Sequence, residues 1–565
     1  MSDRKSTSVD VDVCIIGAGL SGLSAGVALH KAAPGCKVAV LEARNRVGGR
    51  TLTKYTNDGT NCDAGGAYVG PTQNRLLRKL KELGLQTFKV VHWQGSNVMF
   101  LRGKRSIASG TIPSLSSLAV LDLNNFMVQS DQLRREIPRE APWQAPHAQE
   151  WDNMTLEEWL TKTGWTEGHL RAHVAADAKQ VYRGAAEAVL CVQASEVSFL
   201  AFLWYLHCAD GPVRAFETNN GAQERKVIGG TQEISVRMAA QLGTAVKLNS
   251  PVASIDYRSE HPRVRVTTRA GDVFTAYHVV VALAPALYNK IQFEPILPPL
   301  KLQLSQRMPM GSIIKTSTYY KTPFWRSKGL SGTLFSDAGP VIYTYDDCRP
   351  ADGQFDTEKD PQRPALMGFV LAQQARKWVE STPDERRTAI LAQYAKLFDT
   401  PEALDAVDYC EMNWMGEEWS GGCYVGTLPP RVTCSICDTQ VLTQFGHVLR
   451  QPLYSDTQQR QPVVHFAGTE TATRHCGYMD GAIQSGERAA HEILTQLAQA
   501  NPDLKITKPG VWVEDEPLDP SYDCIPKPTG PTAVEKWIPG VRGVLGFVGA
   551  VAVAALSFVV RRWVS

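Results

Sequence analysis

The stretch Gly17-Ala18-Gly19-Leu20-Ser21-Gly22 constrains the fold more than any other part of the chain. It follows Val11 to Ile16, a short apolar run of strand type, and precedes the helical pattern Leu23 to Lys31. A G-x-G-x-x-G turn between strand and helix opens a βαβ dinucleotide-binding unit. Gly17 allows the tight turn, Gly19 lets backbone approach a pyrophosphate, and Gly22 lets the helix pack close to the strand. The pyrophosphate, with Ser21 beside it, rests on the helix N-terminus and its dipole. A second strand, Lys37 to Leu41, ends at Glu42. A carboxylate there accepts hydrogen bonds from a ribose 2′-hydroxyl and repels a 2′-phosphate, so the ligand is FAD or NAD rather than NADP.

The segment after Glu42 carries Arg44, Arg46 and Arg50 with the pair Gly48-Gly49. Arginine binds phosphate in bidentate fashion, and paired glycines let a chain run close to a cofactor. Arg44, Gly49 and Arg50 are therefore cofactor candidates; Arg46 reads as solvated charge. With these residues the chain resembles the flavin-dependent amine oxidase family. Gly65-Gly66-Ala67-Tyr68 resembles that family's next flavin-contacting segment, and Val252 matches a residue that contacts adenine there.

Asn413-Trp414-Met415 through Trp419-Ser420-Gly421-Gly422-Cys423-Tyr424 is similar to the covalent-flavin segment of monoamine oxidases. The resemblance implies FAD attached through an 8α-S-cysteinyl bond to Cys423, with Trp414 beside the cofactor. The chemistry is consistent, since a thiolate is a soft nucleophile. The other reading of Cys423 is a buried structural thiol. Phe466 to Ala472, then Gly477-Tyr478-Met479 and the helical run Gln484 to Leu494, resemble the C-terminal flavin-binding segment, with Gly468, Gly477, Tyr478 and Met479 as contacts. A helix N-terminus there favours negative charge on the reduced ring.

The resemblance also assigns the reacting end. Tyr424 and Tyr478 match two tyrosines that face each other before the flavin ring. Lys315, a lone lysine in the apolar run Ile313 to Thr316, matches a lysine that holds a water against flavin N5; an isolated lysine in such a run needs a partner or a snorkelling route. Gln223 falls in a cavity-lining segment, and Phe216 and Tyr343 match two positions that gate and divide the cavity. Mammalian isoforms pair an aromatic with an aliphatic residue at those two positions; aromatics at both predict a narrow passage. Arg183 to Ser195 matches poorly, so no cavity residue is assigned there. Cys434 and Cys437 lie in an apparent insertion and read as thiols of a surface loop.

The reading that follows is an α/β chain. A Rossmann-like FAD-binding domain (9–88, 225–302 and 414–498) is interleaved with an α+β substrate domain (89–224 and 303–413). A surface linker, 499–542, leads to a C-terminal transmembrane helix at 543–560. The uncharged run Gly543 to Val560 is about long enough for a thin bilayer, and Lys536, Trp537, Arg542 and Arg561-Arg562-Trp563 suit its interfaces. The resemblance places that anchor in the mitochondrial outer membrane with the catalytic part facing the cytosol. The 59 basic and 57 acidic residues leave no basic stripe for nucleic acid. Twelve cysteines without a regular framework fit a reducing compartment. No metal site is expected, and the oligomeric state, a homodimer included, is left open.

The implied activity is oxidative deamination of a primary or secondary arylalkylamine by O2 and water, giving aldehyde, ammonia or amine, and H2O2. The amine reacts uncharged, so the rate rises through its pKa. Two alternatives stand: a polyamine oxidase of the same superfamily, which needs carboxylates to guide a polycation, and a non-catalytic flavoprotein scaffold.

Overall fold

The computed structural model describes residues 7–90, 95–109, 115–163, 172–258, 263–348, 363–430, 432–434, 437–439, 441–455, 461–500 and 511–517. The opening unit forms as the sequence dictates. Val13–Ile16 is a strand with all four residues buried, and Leu20–Ala32 is the helix that follows the glycine turn. That helix lacks a wet face because it packs between the helices Met479–Ala500 and Gln232–Leu242. Its Leu20, Leu23, Val27 and Leu29 join the same core.

Six strands order as Val246–Lys247, Val38–Leu41, Val13–Ile16, His278–Ala282, Pro462–Ala467 and Leu453–Tyr454. The first five run parallel and the last is antiparallel. Buried parallel strands carry near-continuous apolar runs, which Val13–Ile16 and His278–Ala282 show. A five-stranded sheet, from Ser8–Asp10 to Gln292–Glu294, packs on one face through Cys14, Ile16, Val279 and Val281.

A separate seven-stranded sheet orders as Asp408–Asn413, Ile313–Tyr319, Ala365–Leu371, Tyr343–Asp346, Leu330–Ser336, Ser96–Leu101 and Lys104–Ser109. Ile313–Tyr319 and Ala365–Leu371 are buried along their whole lengths. Helices Ser117–Arg134, Ala172–Leu190 and Phe199–Cys208 gather into a second apolar mass beside it. The segment read as a loop with two thiols is a short hairpin: Val432–Cys434 pairs with Cys437–Thr439, Cys434 opposite Cys437.

Residues 511–517 cross the surface as a strap. Arg75 donates to the carbonyls of Val513 (2.5 Å) and Glu514 (2.9 Å), and its guanidinium covers the Trp512 ring. Arg139 and Arg474 both hold Asp515. Among the described residues no helix is long and apolar enough to cross a membrane; Gly543 to Val560 lies outside them.

Candidate active site

One continuous cavity runs from the glycine turn to the face of the seven-stranded sheet. At its first end Gly17 adopts φ 100°, and a Cβ there would sit 2.9 Å from the Ala282 carbonyl oxygen. Gly49, at φ 57°, would place a Cβ 3.3 Å from Gly19 Cα. The two loops therefore approach as only glycines allow. The helix they lead into has no capping side chain, so its first amides are left for a ligand. Ser21 lines the cavity, but its hydroxyl is spent on Ala482 O (2.8 Å) and Ser485 (3.0 Å). Gly22 lies below, where a Cβ would come within 1.9 Å of Gly17 O. This is close helix packing, as its place in the motif requires.

Glu42 is locked by two backbone amides, Ala18 N to Oε2 (2.8 Å) and Arg44 N to Oε1 (3.0 Å). Its carboxylate thus faces the glycine turn at the ribose position. Val252, Ser250, Leu287 and Trp419 line the same end, with Arg269 and Lys290 over the Trp419 ring. A glycine cradle, an uncapped helix and a fixed carboxylate fit a dinucleotide such as FAD.

Arg44 and Arg50 both line the cavity, and both are paired. Arg44 holds Glu42 (3.2 Å) and Glu417 (2.5 Å). Arg50 grips the wholly buried Glu470 through two bonds and also donates to Tyr424 O (2.8 Å). Burial alone would raise the Glu470 carboxyl, but the Arg50 charge outweighs it and holds it below its ordinary value. Arg46 clips its own loop, donating to Val47, Gly49 and Thr51 carbonyls, and is absent from the lining.

Gly65, Gly66, Ala67, Tyr68, Trp414, Cys423, Gly468, Gly477 and Met479 line the middle of the cavity. Trp414 donates Nε1 to Ala64 O (2.8 Å), which fixes the Gly65-Gly66 turn. Cys423 is 4% exposed, and burial pushes its thiol up to about 12, with Arg50 the largest opposing charge.

At the far end Tyr424, Tyr478, Phe216, Gln223 and Tyr343 meet. Tyr478 stacks on Tyr205 (5.7 Å, 20°) and the two hydroxyls bond at 2.7 Å. Tyr343 stacks on Tyr345 (6.3 Å, 14°), and Phe216 stands edge-on to Tyr182. Gln223 donates to Ala215 O (3.1 Å), while its Oε1 is buried without a partner among the described residues.

Lys315 lies under this end, 3% exposed, donating Nζ to Gly65 O (2.6 Å). Burial, then the nearby Lys226 charge, lowers its ammonium to about 8, against the pull of Asp63. Lys226 itself is held charged by Asp347 (2.6 Å) and Asp63 (3.7 Å).

Several lining residues escaped the sequence reading: Tyr205, Tyr345, Phe369, Ala185, Ala188 and Val189. The last three come from the helix Ala172–Leu190, in the stretch that matched poorly. Small residues spaced along one helix face were the available signal. Glu42 is the only carboxylate among the described lining residues.

A family model described as flavin containing amine oxidoreductase matches residues 20–494. The chain is 41% identical to flavin-containing amine oxidase B of Homo sapiens over 557 residues, 98% of each chain. It is 41% identical to a flavin-containing amine oxidase of Danio rerio over 541 residues, 95% of this chain and 94% of that one. Among solved structures, putrescine oxidase bound to putrescine matches with TM-score 0.76 and 31% identity, covering 86% of this chain and 100% of that one. Cyclohexylamine oxidase from Brevibacterium oxydans matches with TM-score 0.75 and 31% identity, over 86% and 99%.

Proposed function

The chain belongs to the flavin-containing amine oxidoreductase family, and from that membership we infer its reaction. It is an FAD-dependent amine oxidase acting on monoamines, converting amine, O2 and water to aldehyde, ammonia (or the smaller amine, from a secondary substrate) and H2O2. When bound, FAD supplies the two-electron acceptor for the substrate and the site at which oxygen is reduced.

One observation carries the choice of monoamine over polyamine. The aromatic end of the cavity holds no carboxylate among the described lining residues, and Glu42 is committed at the opposite end. A polycation finds no carboxylate in that lining to balance its second charge. Apolar walls of Phe216, Tyr343, Tyr345 and Phe369 penalise an ammonium by desolvation and so select the neutral amine. Tyr424 and Tyr478 offer ring faces to its nitrogen, and Gln223 Oε1 offers a free acceptor. Lys315 supplies a buried nitrogen that changes charge near neutral pH, fixed by Gly65 O beside the reacting end. Anaerobic addition of benzylamine or phenethylamine tests this: the flavin absorbance bleaches, whereas putrescine leaves it intact. Bleaching by putrescine alone would reverse the assignment.

Covalent attachment through Cys423 belongs to the same proposal. Arg50, and more weakly Arg44, pull the buried thiol toward its thiolate against burial and the carboxylates Glu417 and Glu470, so attachment needs the electrophilic flavin in place to capture the thiolate. Mass spectrometry of the Cys423 peptide from FAD-loaded protein reads the link directly, and an unmodified cysteine rejects it. Two interleaved domains fit the sheet membership, since the six-stranded and seven-stranded sheets draw on separate sets of segments. The strap at 511–517 leads toward the uncharged run Gly543 to Val560, proposed as a mitochondrial outer membrane anchor. Deleting 543–565 then moves the protein from the membrane pellet to the supernatant; continued pelleting contradicts it.

A further inference from the structure

Two thiols far apart in sequence meet just behind Lys315. Cys62 lies in the strand Asn61–Asp63 and is 2% exposed; Cys410 lies in Asp408–Asn413 and is half-buried. They pack in one small cluster with Ala64, Tyr319 and Ala365. Cys410 pairs across the sheet with Ser317, on the lysine strand. The Ser317 hydroxyl is buried, faces the Cys62 sulfur and has no other partner among the described residues. Tyr319 OH to Asn61 O (3.4 Å) ties the lysine strand to the Cys62 strand, and Lys54 Nζ to Glu411 O (2.8 Å) ties that strand's hairpin partner, Thr53–Tyr55, to the Cys410 strand.

The Cys410 thiol donates toward Cys62, and this contact, helped by the Ser317 and Tyr319 hydroxyls and the Lys315 charge, draws Cys62 below its ordinary value despite its burial. Cys410 is driven up in turn, so the shared proton rests on it. Cys62 is the sulfur favoured as thiolate, and Cys410, the more exposed of the two, is the neighbouring thiol that can resolve it, the order in which peroxide closes a thiol pair.

We propose that Cys62 and Cys410 form a peroxide-oxidisable thiol pair that closes to a disulfide and slows amine turnover. The oxidant is the H2O2 released by the amine oxidase reaction, so its source, though not the site, rests on that reading. Cys62 thiolate attacks one peroxide oxygen, the O–O bond breaks, and hydroxide leaves, taking the proton of Cys410 to become water. Cys410 thiolate then attacks the Cys62 sulfenic acid, forming S–S and releasing hydroxide, which a solvent proton converts to water. Two thiols and one H2O2 give one disulfide and two waters. The bond pins the strand leading to Gly65 against the sheet that carries Lys315. Because Lys315 is held by Gly65 O, the two ends of that hydrogen bond lose their independence.

The test uses FAD-loaded full-length protein, treated with a few equivalents of H2O2, blocked with N-ethylmaleimide and digested. A Cys62–Cys410 crosslinked peptide is expected, with turnover falling by at least half and both changes reversed by dithiothreitol. Cys410→Ser should lose the crosslink, keep its turnover under peroxide, and accumulate a dimedone-reactive Cys62. Both cysteines still alkylated in the treated wild type, or a crosslink with unchanged turnover, would overturn the proposal. A parallel arm supplies only amine and O2, with and without catalase. If added peroxide crosslinks but amine does not, the proposed activity fails and the thiol site stands.

Discussion

Arg50 and Glu470 form a two-pronged ion pair under the Tyr424 carbonyl, Nη1 to Oε1 at 2.6 Å and Nη2 to Oε2 at 3.1 Å. Glu470 has no solvent exposure, and its Oε1 also accepts from Gly426 N (3.2 Å). The pair therefore joins the loop after Glu42 to both the Cys423 segment and the C-terminal flavin segment.

Removing one partner strands a buried charge, so Glu470→Ala should cost about 3 kcal/mol or more, read as a lower midpoint in denaturant. The pH dependence has a definite sign. The folded carboxyl lies below its unfolded value, so its stabilisation is present above the unfolded pKa and lost as pH falls through the folded one. Wild type should thus lose stability on acidification more steeply than Glu470→Gln. Equal acid profiles would show that the pair contributes nothing.

Lys315→Met should keep FAD bound and lower turnover by at least about tenfold, the scale of a lost proton-handling group. Wild-type turnover should carry an ionisation near pH 8 that stays put when the amine is changed, and the variant should lack it. Folding stability follows a related rule. The folded lysine binds its proton more weakly than the unfolded one, so stability rises with pH from about 8 toward the ordinary lysine value of about 10.4. That rise disappears in Lys315→Met.

Phe216 and Tyr343 both present rings to the aromatic end of the cavity. Tyr343→Ile should lower KM for bulky arylalkylamines by opening the passage while leaving benzylamine within about threefold, since one truncated wall is worth about 1–3 kcal/mol to a substrate that needs the space. Steady-state kinetics on a graded amine series reads this, and a uniform change across the series would remove the two rings from specificity.

Gly486→Ala should destabilise the protein by about 1–3 kcal/mol and lower its FAD content, because the added Cβ would meet Ser21 O at 2.0 Å. Gly35→Ala meets nothing within 4 Å and serves as the neutral control. Thermal melts with flavin absorbance per chain distinguish the two.

The cradle was legible because backbone geometry demands particular residues there. Gly17 and Gly49 sit at positive φ, and a strand, a turn and a helix surround them in fixed order. Cys423, Lys315, Phe216 and Tyr343 were reachable through resemblance, and the fold does gather them round one cavity. Tyr205 was not legible: its helix Phe199–Cys208 is buried on nearly every face, so no periodicity separates a cavity residue from a core one. The charges of Arg44 and Arg50 were seen, but not their carboxylate partners Glu417 and Glu470, which come from the other end of the chain. The meeting of Cys62 with Cys410 is likewise a product of tertiary packing between two separate sheets, which neither local sequence contains.

The bond from Ser21 to Ala482 spans 461 residues of sequence, and Gly486 lies against the same turn. The glycine turn is made well before its wall, the helix Met479–Ala500. A nascent chain carries the phosphate end for most of its translation without the helix that buries it, and contacts of such separation form late. A closed phosphate end therefore waits for the helix Met479–Ala500 to be made and docked. A truncated product lacking Met479–Ala500 would carry the full dinucleotide motif and still leave the ribosome as an empty, partly folded chain, a natural target for proteolysis rather than a weak enzyme.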